Sequence, residues 1–245
     1  GWRGQPLVGE AKTAHLFLPY VPQRIYQSVP DARLIAILRD PTERAFSHWW
    51  MQRCNGREPL SFEESLRENH ARITAGMTVE GPGAEDLWRS HLAPRPNNRG
   101  VRPCSLPVYL EPGYYAVQLE RYLQYFSRSQ LCVLLFDEFS RAPVETTRRL
   151  FEFLGLDPTE VKKPPARENV ALTSFSQPLY TLSNRLQLQR VLPRKFLAVA
   201  RTTLSKIGHR PTMSDEARAW LRGHYEPHNR RLEDLLECDL DEWNH

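Results

Sequence analysis

The segment ARLIAILRDPTERAFSHWW, Ala32 to Trp50, constrains the fold more than any other stretch of the chain. Leu34, Ile35, Ala36, Ile37 and Leu38 form an apolar run of strand length, and Arg39 ends it abruptly. Helix signals follow at once. Asp40 stands at an N-cap, Pro41 at N1 and Glu43 at N3, the pattern of a capping box. A near-continuous apolar run, rather than an alternating one, marks a strand of a parallel sheet covered by helices on both faces. In such a sheet ligands bind beyond the carboxyl ends of the strands, which is where Arg39 emerges. Ser47 follows within the next two helical turns, so Arg39 and Ser47 are placed to bind an anion beside that helix. The plain alternative for Arg39 is a salt bridge to Asp40, Glu43 or a more distant carboxylate.

At 245 residues, with 40% hydrophobic and 25% charged content, the chain is long enough for one substantial core. Its longest apolar runs, LIAIL and LCVLLF, are too short to cross a bilayer, so no transmembrane segment is expected. The net charge of +4 suits an anionic ligand, but no basic tract or stripe argues for nucleic acid. Cys54, Cys104, Cys132 and Cys238 are scattered, with neither metal-ligand spacing nor a disulfide framework. Cys132 falls inside a strand pattern and is expected to be a buried thiol, and no metal site is expected. No secretory leader is visible, and the expected location is cytoplasmic.

Three apolar runs read as strands of a parallel sheet: Leu7–Glu10, Arg33–Leu38 and Leu131–Phe136. Helices are expected over Gln23–Ser28, Pro41–Arg53, Ser61–Asn69 with its S-x-x-E start, Tyr114–Phe126, Val144–Leu154 ending at Gly155, and Asp215–Leu236. Pro227 should kink or divide the last of these. The stretches Gly76–Gly113 and Leu156–Val170 are rich in glycine and proline and read as loops. The chain shows no repeat and no long polar linker, so residues 1–245 are read as one domain of α/β class, a parallel sheet flanked by helices.

VGEAKTAHLF, Val8 to Phe17, places Glu10 at the end of the first expected strand, on the same rim as Arg39. A carboxylate there is suited to accept the proton of an attacking hydroxyl or amine. An ion pair with Lys12, or a helix cap, is the alternative. His15 offers a second acid/base group.

These segments closely resemble the sulfotransferases that use 3′-phosphoadenosine 5′-phosphosulfate (PAPS). The resemblance implies that Arg39 and Ser47 bind the 3′-phosphate of that donor, as the strand, R-D-P, second arginine (Arg44) and serine stand at the family's offsets. Glu10 matches the family's catalytic base. Departures are clear nearby: Ala11 stands where a lysine often follows the glutamate, Lys12 replaces a serine or threonine, and His15 replaces a tyrosine. Lys12 is then a candidate substrate contact. EPGYYAVQLERYLQYF, LCVLLFDEF and RRLFEFLGLDP match later elements in order. SKIGHRPTMSDEARAWLRGHYEPHNRRLEDLL looks like the loop that closes over the nucleotide, followed by a helix, with Lys206 and Arg210 as its cofactor contacts and Gly208 offset from the usual Lys-Gly step.

The resemblance implies a P-loop NTPase-like sulfotransferase fold. The family's phosphosulfate-binding loop belongs to a first strand and helix, expected upstream of Gly1, and no G-x-x-x-x-G-K-[ST] occurs within the sequence. The portion carrying that loop is expected to be cleaved, supplied by a separate N-terminal fragment acting as a partner, or absent. Gly76–Pro112 is expected to form the rim of the acceptor cleft, with Trp88 and Arg99 contacting a saccharide or other small metabolite. Trp88 suits a sugar face and the arginines an anionic or polyhydroxylated acceptor, with a hydroxyl favoured over an amine. Two other functions remain open at this point: a non-catalytic binding module with a degenerate site, and a P-loop kinase-like phosphotransferase.

Overall fold

The computed structural model describes residues 3–5, 7–54, 58–80, 83–87, 89, 95–97, 100–102, 108–164 and 211–244. In chain order it contains α1 (Ala14–Phe17), α2 (Val21–Ser28), β1 (Leu34–Leu38), α3 (Pro41–Cys54), α4 (Phe62–Thr74) and α5 (Ala84–Leu87). A small hairpin, β2 (Arg95–Asn97) with β3 (Gly100–Arg102), precedes α6 (Tyr115–Leu123) and β4 (Leu131–Leu135). There follow α7 (Phe136–Arg141), α8 (Pro143–Leu154), α9 (Asp215–Leu236) and α10 (Asp241–Asn244).

Strands β1 and β4 pair in parallel, in register from Leu34 opposite Leu131 to Leu38 opposite Leu135. One face of the pair, including Ala36, Leu38 and Leu131, packs on Tyr115, Ala116 and Leu119 of α6 and on Leu232, Leu240 and Trp243. The other face is less covered. Leu134 is buried there, but Ile35 and Ile37 remain 43% and 49% exposed. The expectation of two covered faces thus holds for only one face of β1 among the described residues.

Leu7–Glu10 forms no strand. The stretch is exposed and pairs with neither β1 nor β4, so the rim argument that placed Glu10 beside Arg39 loses its footing. Four residues containing a glycine gain nothing from extended backbone without a ladder partner. Cys132 is half-buried rather than buried. Helix α9 runs through Pro227 undivided. Proline removes the bond to the carbonyl of Gly223, and both residues are exposed, so water replaces that bond. Helix α8 stops where expected, at Gly155 in the left-handed region with φ 73°.

The parts of the crossover between β1 and β4 meet at Glu111-Pro112-Gly113-Tyr114-Tyr115. Glu111 is fully buried and forms a two-pronged ion pair with buried Arg72 of α4, one prong at 2.8 Å. Asn69, one turn before Arg72, accepts from the Tyr109 and Leu110 amides at 2.7 and 2.9 Å. Gln118 donates to the Glu111 carbonyl at 2.7 Å. This pins the turn so tightly that a Cβ on Gly113 would lie 2.7 Å from the Tyr225 ring and 2.9 Å from Pro41 Cβ. Only glycine lets α9 and the start of α3 approach the turn together.

Replacing Glu111 by leucine would leave the Arg72 charge buried without its counter-ion, at a cost of about 3–5 kcal/mol. In urea denaturation Glu111→Leu is expected to lower the midpoint strongly, and Arg72→Met in the same chain to recover part of the loss. Equal midpoints for Glu111→Leu and the parent would contradict this account.

Candidate functional site

Arg39 leaves β1 at its carboxyl end, with its backbone held by Tyr115 and its side chain a third exposed. The buried Tyr115 hydroxyl donates to the Arg39 carbonyl at 2.9 Å. The next residue, Asp40, caps α3: its carboxylate accepts from the Thr42 amide at 2.7 Å and from the Glu43 amide at 3.4 Å. Burial raises the Asp40 carboxyl above its ordinary range, against the lowering effect of those two amides. The Arg39 guanidinium lies 5.4 Å from the centre of the half-exposed Phe136 ring, a cation–π distance.

The reciprocal half of the expected capping box is replaced by a different contact. The Glu43 carboxylate lies 2.6 Å from Arg218 of α9 and 3.8 Å from Arg39. The salt bridge that sequence offered as the alternative for Arg39 is therefore present but long. Glu43 and Ser47, four residues apart within α3, lie along one strip of that helix, and Arg39, which precedes the helix, reaches the strip through its 3.8 Å contact with Glu43. Ser47 is half-buried on that strip. Arg44, the motif's second arginine, sits elsewhere, close enough to Tyr115, Tyr225 and His48 to act on all three electrostatically.

Glu10 occupies an exposed stretch and pairs with Lys12 at 2.8 Å, which is the alternative weighed for it. The hydrogen bond and charge of Lys12 hold the Glu10 carboxyl below its ordinary value, and His15 adds a smaller pull in the same direction. His15 is thus near Glu10, while its own carbonyl is tied to α6 by the Tyr122 hydroxyl at 2.9 Å. Lys206, Arg210, Trp88 and Arg99 lie outside the described residues. Arg89, beside Trp88, pairs with Glu85, which also binds Arg24 at 2.8 Å.

Sequence reasoning missed the contribution of α9. Trp220, His224 and His228 recur every fourth residue and form a ring ladder with Tyr114. Trp220 stacks on His224 at 5.1 Å, and Tyr114 stacks on His228 at 4.0 Å. The Tyr114 hydroxyl and His224 Nε2 are 2.9 Å apart. Burial lowers His224 to about 4, so that ring is neutral at ordinary pH, and burial lowers His228 as well. The spacing was a readable signal, but nothing local indicated that Tyr114 was its partner.

A profile of the family described as Sulfotransferase domain matches residues 10–179. The chain is 30% identical over 215 residues to the mouse protein named bifunctional heparan sulfate N-deacetylase/N-sulfotransferase 4, spanning 88% of this chain and 20% of that protein. It is 26% identical over 197 residues to mouse carbohydrate sulfotransferase 15, spanning 80% of this chain and 32% of that protein. The chain thus spans roughly a fifth to a third of the length of these curated relatives. Among solved structures, a sulfotransferase from Alicyclobacillus acidocaldarius superposes with a TM-score of 0.64 at 28% identity, over 100% of this chain and 70% of that one.

Because Lys12 is the first cause of the lowered Glu10 pKa, Lys12→Ala should move it upward, toward the ordinary carboxylate range. Carboxyl-carbon NMR titration of Glu10 in the two proteins reads this directly. An unchanged midpoint would mean that the pair does not persist in solution.

Proposed function

The chain belongs to the sulfotransferase family, and from that membership we propose that it moves a sulfuryl group from PAPS to a hydroxyl of a saccharide or another small metabolite, with an amine the less favoured acceptor. The observation that carries the reading is the strip at the start of α3. Arg39 stands at the carboxyl end of β1 with its backbone fixed by Tyr115 and its guanidinium 3.8 Å from Glu43, and Ser47 lies one turn beyond Glu43 on the same face of α3. A guanidinium fork and a hydroxyl are a suitable donor set for a phosphate. Asp40 already occupies the first free amides of α3, so an anion here is met by side chains rather than by the helix end. Arg39 is a third exposed and its contact with Glu43 is long, so it turns to a ligand at small cost.

In this proposal Arg39 and Ser47 hold the 3′-phosphate and so orient the donor, whose phosphosulfate bond supplies the activated sulfuryl group. Lys206 and Arg210 are assigned to the nucleotide on the family's pattern, and Trp88 and Arg99 to the acceptor for their aromatic and cationic character. Glu10 takes the acceptor's proton and His15 assists it. The Lys12 pair makes Glu10 a weak base as it stands. Lys12 is therefore assigned to the anionic ligands, an exchange that would release the carboxylate and restore its basicity. The saccharide class rests on the relatives whose names include heparan sulfate and carbohydrate.

Loss of one charge-assisted phosphate contact is worth roughly 1.5–3 kcal/mol, or on the order of 10–100-fold in affinity. Arg39→Ala should weaken 3′-phosphoadenosine 5′-phosphate by that factor while leaving adenosine 5′-phosphosulfate, which lacks the 3′-phosphate, nearly unchanged. Ser47→Ala should show the same selectivity with a smaller loss. Equal weakening of both nucleotides in calorimetric titration would contradict the assignment. Transfer of labelled sulfuryl from PAPS that continues undiminished in Glu10→Ala would remove Glu10 as the base, and a chain that binds the nucleotide but transfers nothing would be a binding module.

A further inference from the structure

Glu43 poses a problem for a phosphate site on this strip. Its carboxylate lies 3.8 Å from the Arg39 guanidinium, and Ser47 is one turn further along α3, so the carboxylate lies beside the groups that would meet the phosphate. An unopposed carboxylate there would repel a phosphate dianion and compete for Arg39. The structure shows how this is managed. Arg218 of α9 approaches Glu43 at 2.6 Å, against 3.8 Å for Arg39, so the carboxylate is held chiefly by the distant helix and not by its neighbour in sequence. The side chains of Arg39, Glu43 and Arg218 are each about a third exposed, at 33%, 30% and 32%, so all three are accessible from solvent.

Arg218 is not there by accident of a loose surface. It lies in the first turns of α9, whose N-cap Ser214 accepts from the Ala217 amide and donates to Glu63 of α4 at 3.0 Å. Ala217 and Leu221, on either side of Arg218, are buried in the core with Phe46 and Trp50 of α3. The start of α9 is thereby locked against α3 and α4, and Arg218 is delivered to Glu43 by packing.

We infer that Arg218 is a positioning residue for the 3′-phosphate site: by holding the Glu43 carboxylate it leaves Arg39 free to meet the phosphate, and it turns a neutral Arg39–Glu43 pair into a group of net charge +1. This rests on the reading that Arg39 and Ser47 take the 3′-phosphate. It also makes a helix some 170 residues away in sequence a part of the site's charge balance.

The test compares the affinities of 3′-phosphoadenosine 5′-phosphate and adenosine 5′-phosphate in the parent protein and in Arg218→Ala, Arg218→Lys, Glu43→Gln, Arg218→Ala/Glu43→Gln and Arg39→Ala. Arg218→Ala should lose on the order of 3–10-fold for the 3′-phosphorylated nucleotide only, as fits a partly exposed ion pair. Adding Glu43→Gln should restore most of that loss, because the carboxylate that Arg218 neutralises is then gone, and Arg218→Lys should retain most of the parent preference. A loss shared equally by both nucleotides, or one that Glu43→Gln does not relieve, would overturn the inference and mark Arg218 as structural. The Arg39→Ala arm keeps the two claims apart. If it leaves the preference for the 3′-phosphate intact, the site reading itself has failed. If it abolishes the preference while Arg218→Ala does not reduce it, only the role of Arg218 has failed.

Discussion

The buried ion pair between Arg72 and Glu111 fixes the turn on which the site depends. Two charges removed from water are held in a two-pronged geometry, with Asn69 and the Val79 amide donating to the Glu111 carboxylate and the Met77 carbonyl accepting from Arg72. From this turn three contacts reach the start of α3 and α9. Gly113 allows Pro41 and Tyr225 to close on it, Tyr114 meets the histidines of α9, and the Tyr115 hydroxyl takes the Arg39 carbonyl. Tyr225 returns the contact by donating to the Leu110 carbonyl at 2.9 Å. The place from which Arg39 emerges is thus set by groups some seventy residues later in the chain, not by the strand alone.

The electrostatics of the strip follow from which groups are already engaged. Asp40 is committed to the first amides of α3, which both starts the helix and removes its free N–H groups from competition for a ligand. Glu43 is committed to Arg218. What remains is Arg39, resting against Phe136 and only loosely tied to Glu43. A cation with a weak partner, a third exposed, at the carboxyl end of a parallel strand, is suited to an incoming phosphate and costs little to redirect. Glu10 is a different case. It is paired with its neighbour Lys12 in an exposed stretch, so its proposed role requires Lys12 to move.

Local signals in the sequence were read well where they decide the structure. The apolar run and R-D-P step placed β1 and α3, the S-x-x-E pattern placed the capping box of α4, and Gly155 placed the end of α8. Asp215–Leu236 is a helix over the expected residues. Failures came where structure depends on distant partners. Val8 and its neighbours have strand-like composition but no ladder partner, so they stay exposed. Glu43 looked like the reciprocal arm of a cap, and only folding showed that Arg218 claims it. The meaning of E-P-G-Y-Y was likewise hidden, since its glutamate and both tyrosines answer to residues far away in sequence: Glu111 to Arg72, Tyr114 to His224 and Tyr115 to Arg39.

The central claim is that the start of α3 receives the 3′-phosphate of the donor nucleotide. A crystal structure with 3′-phosphoadenosine 5′-phosphate tests it most directly. The account predicts 3′-phosphate oxygens within about 2.7–3.2 Å of both the Arg39 guanidinium and the Ser47 hydroxyl. A bound nucleotide whose 3′-phosphate lies away from both side chains would contradict it.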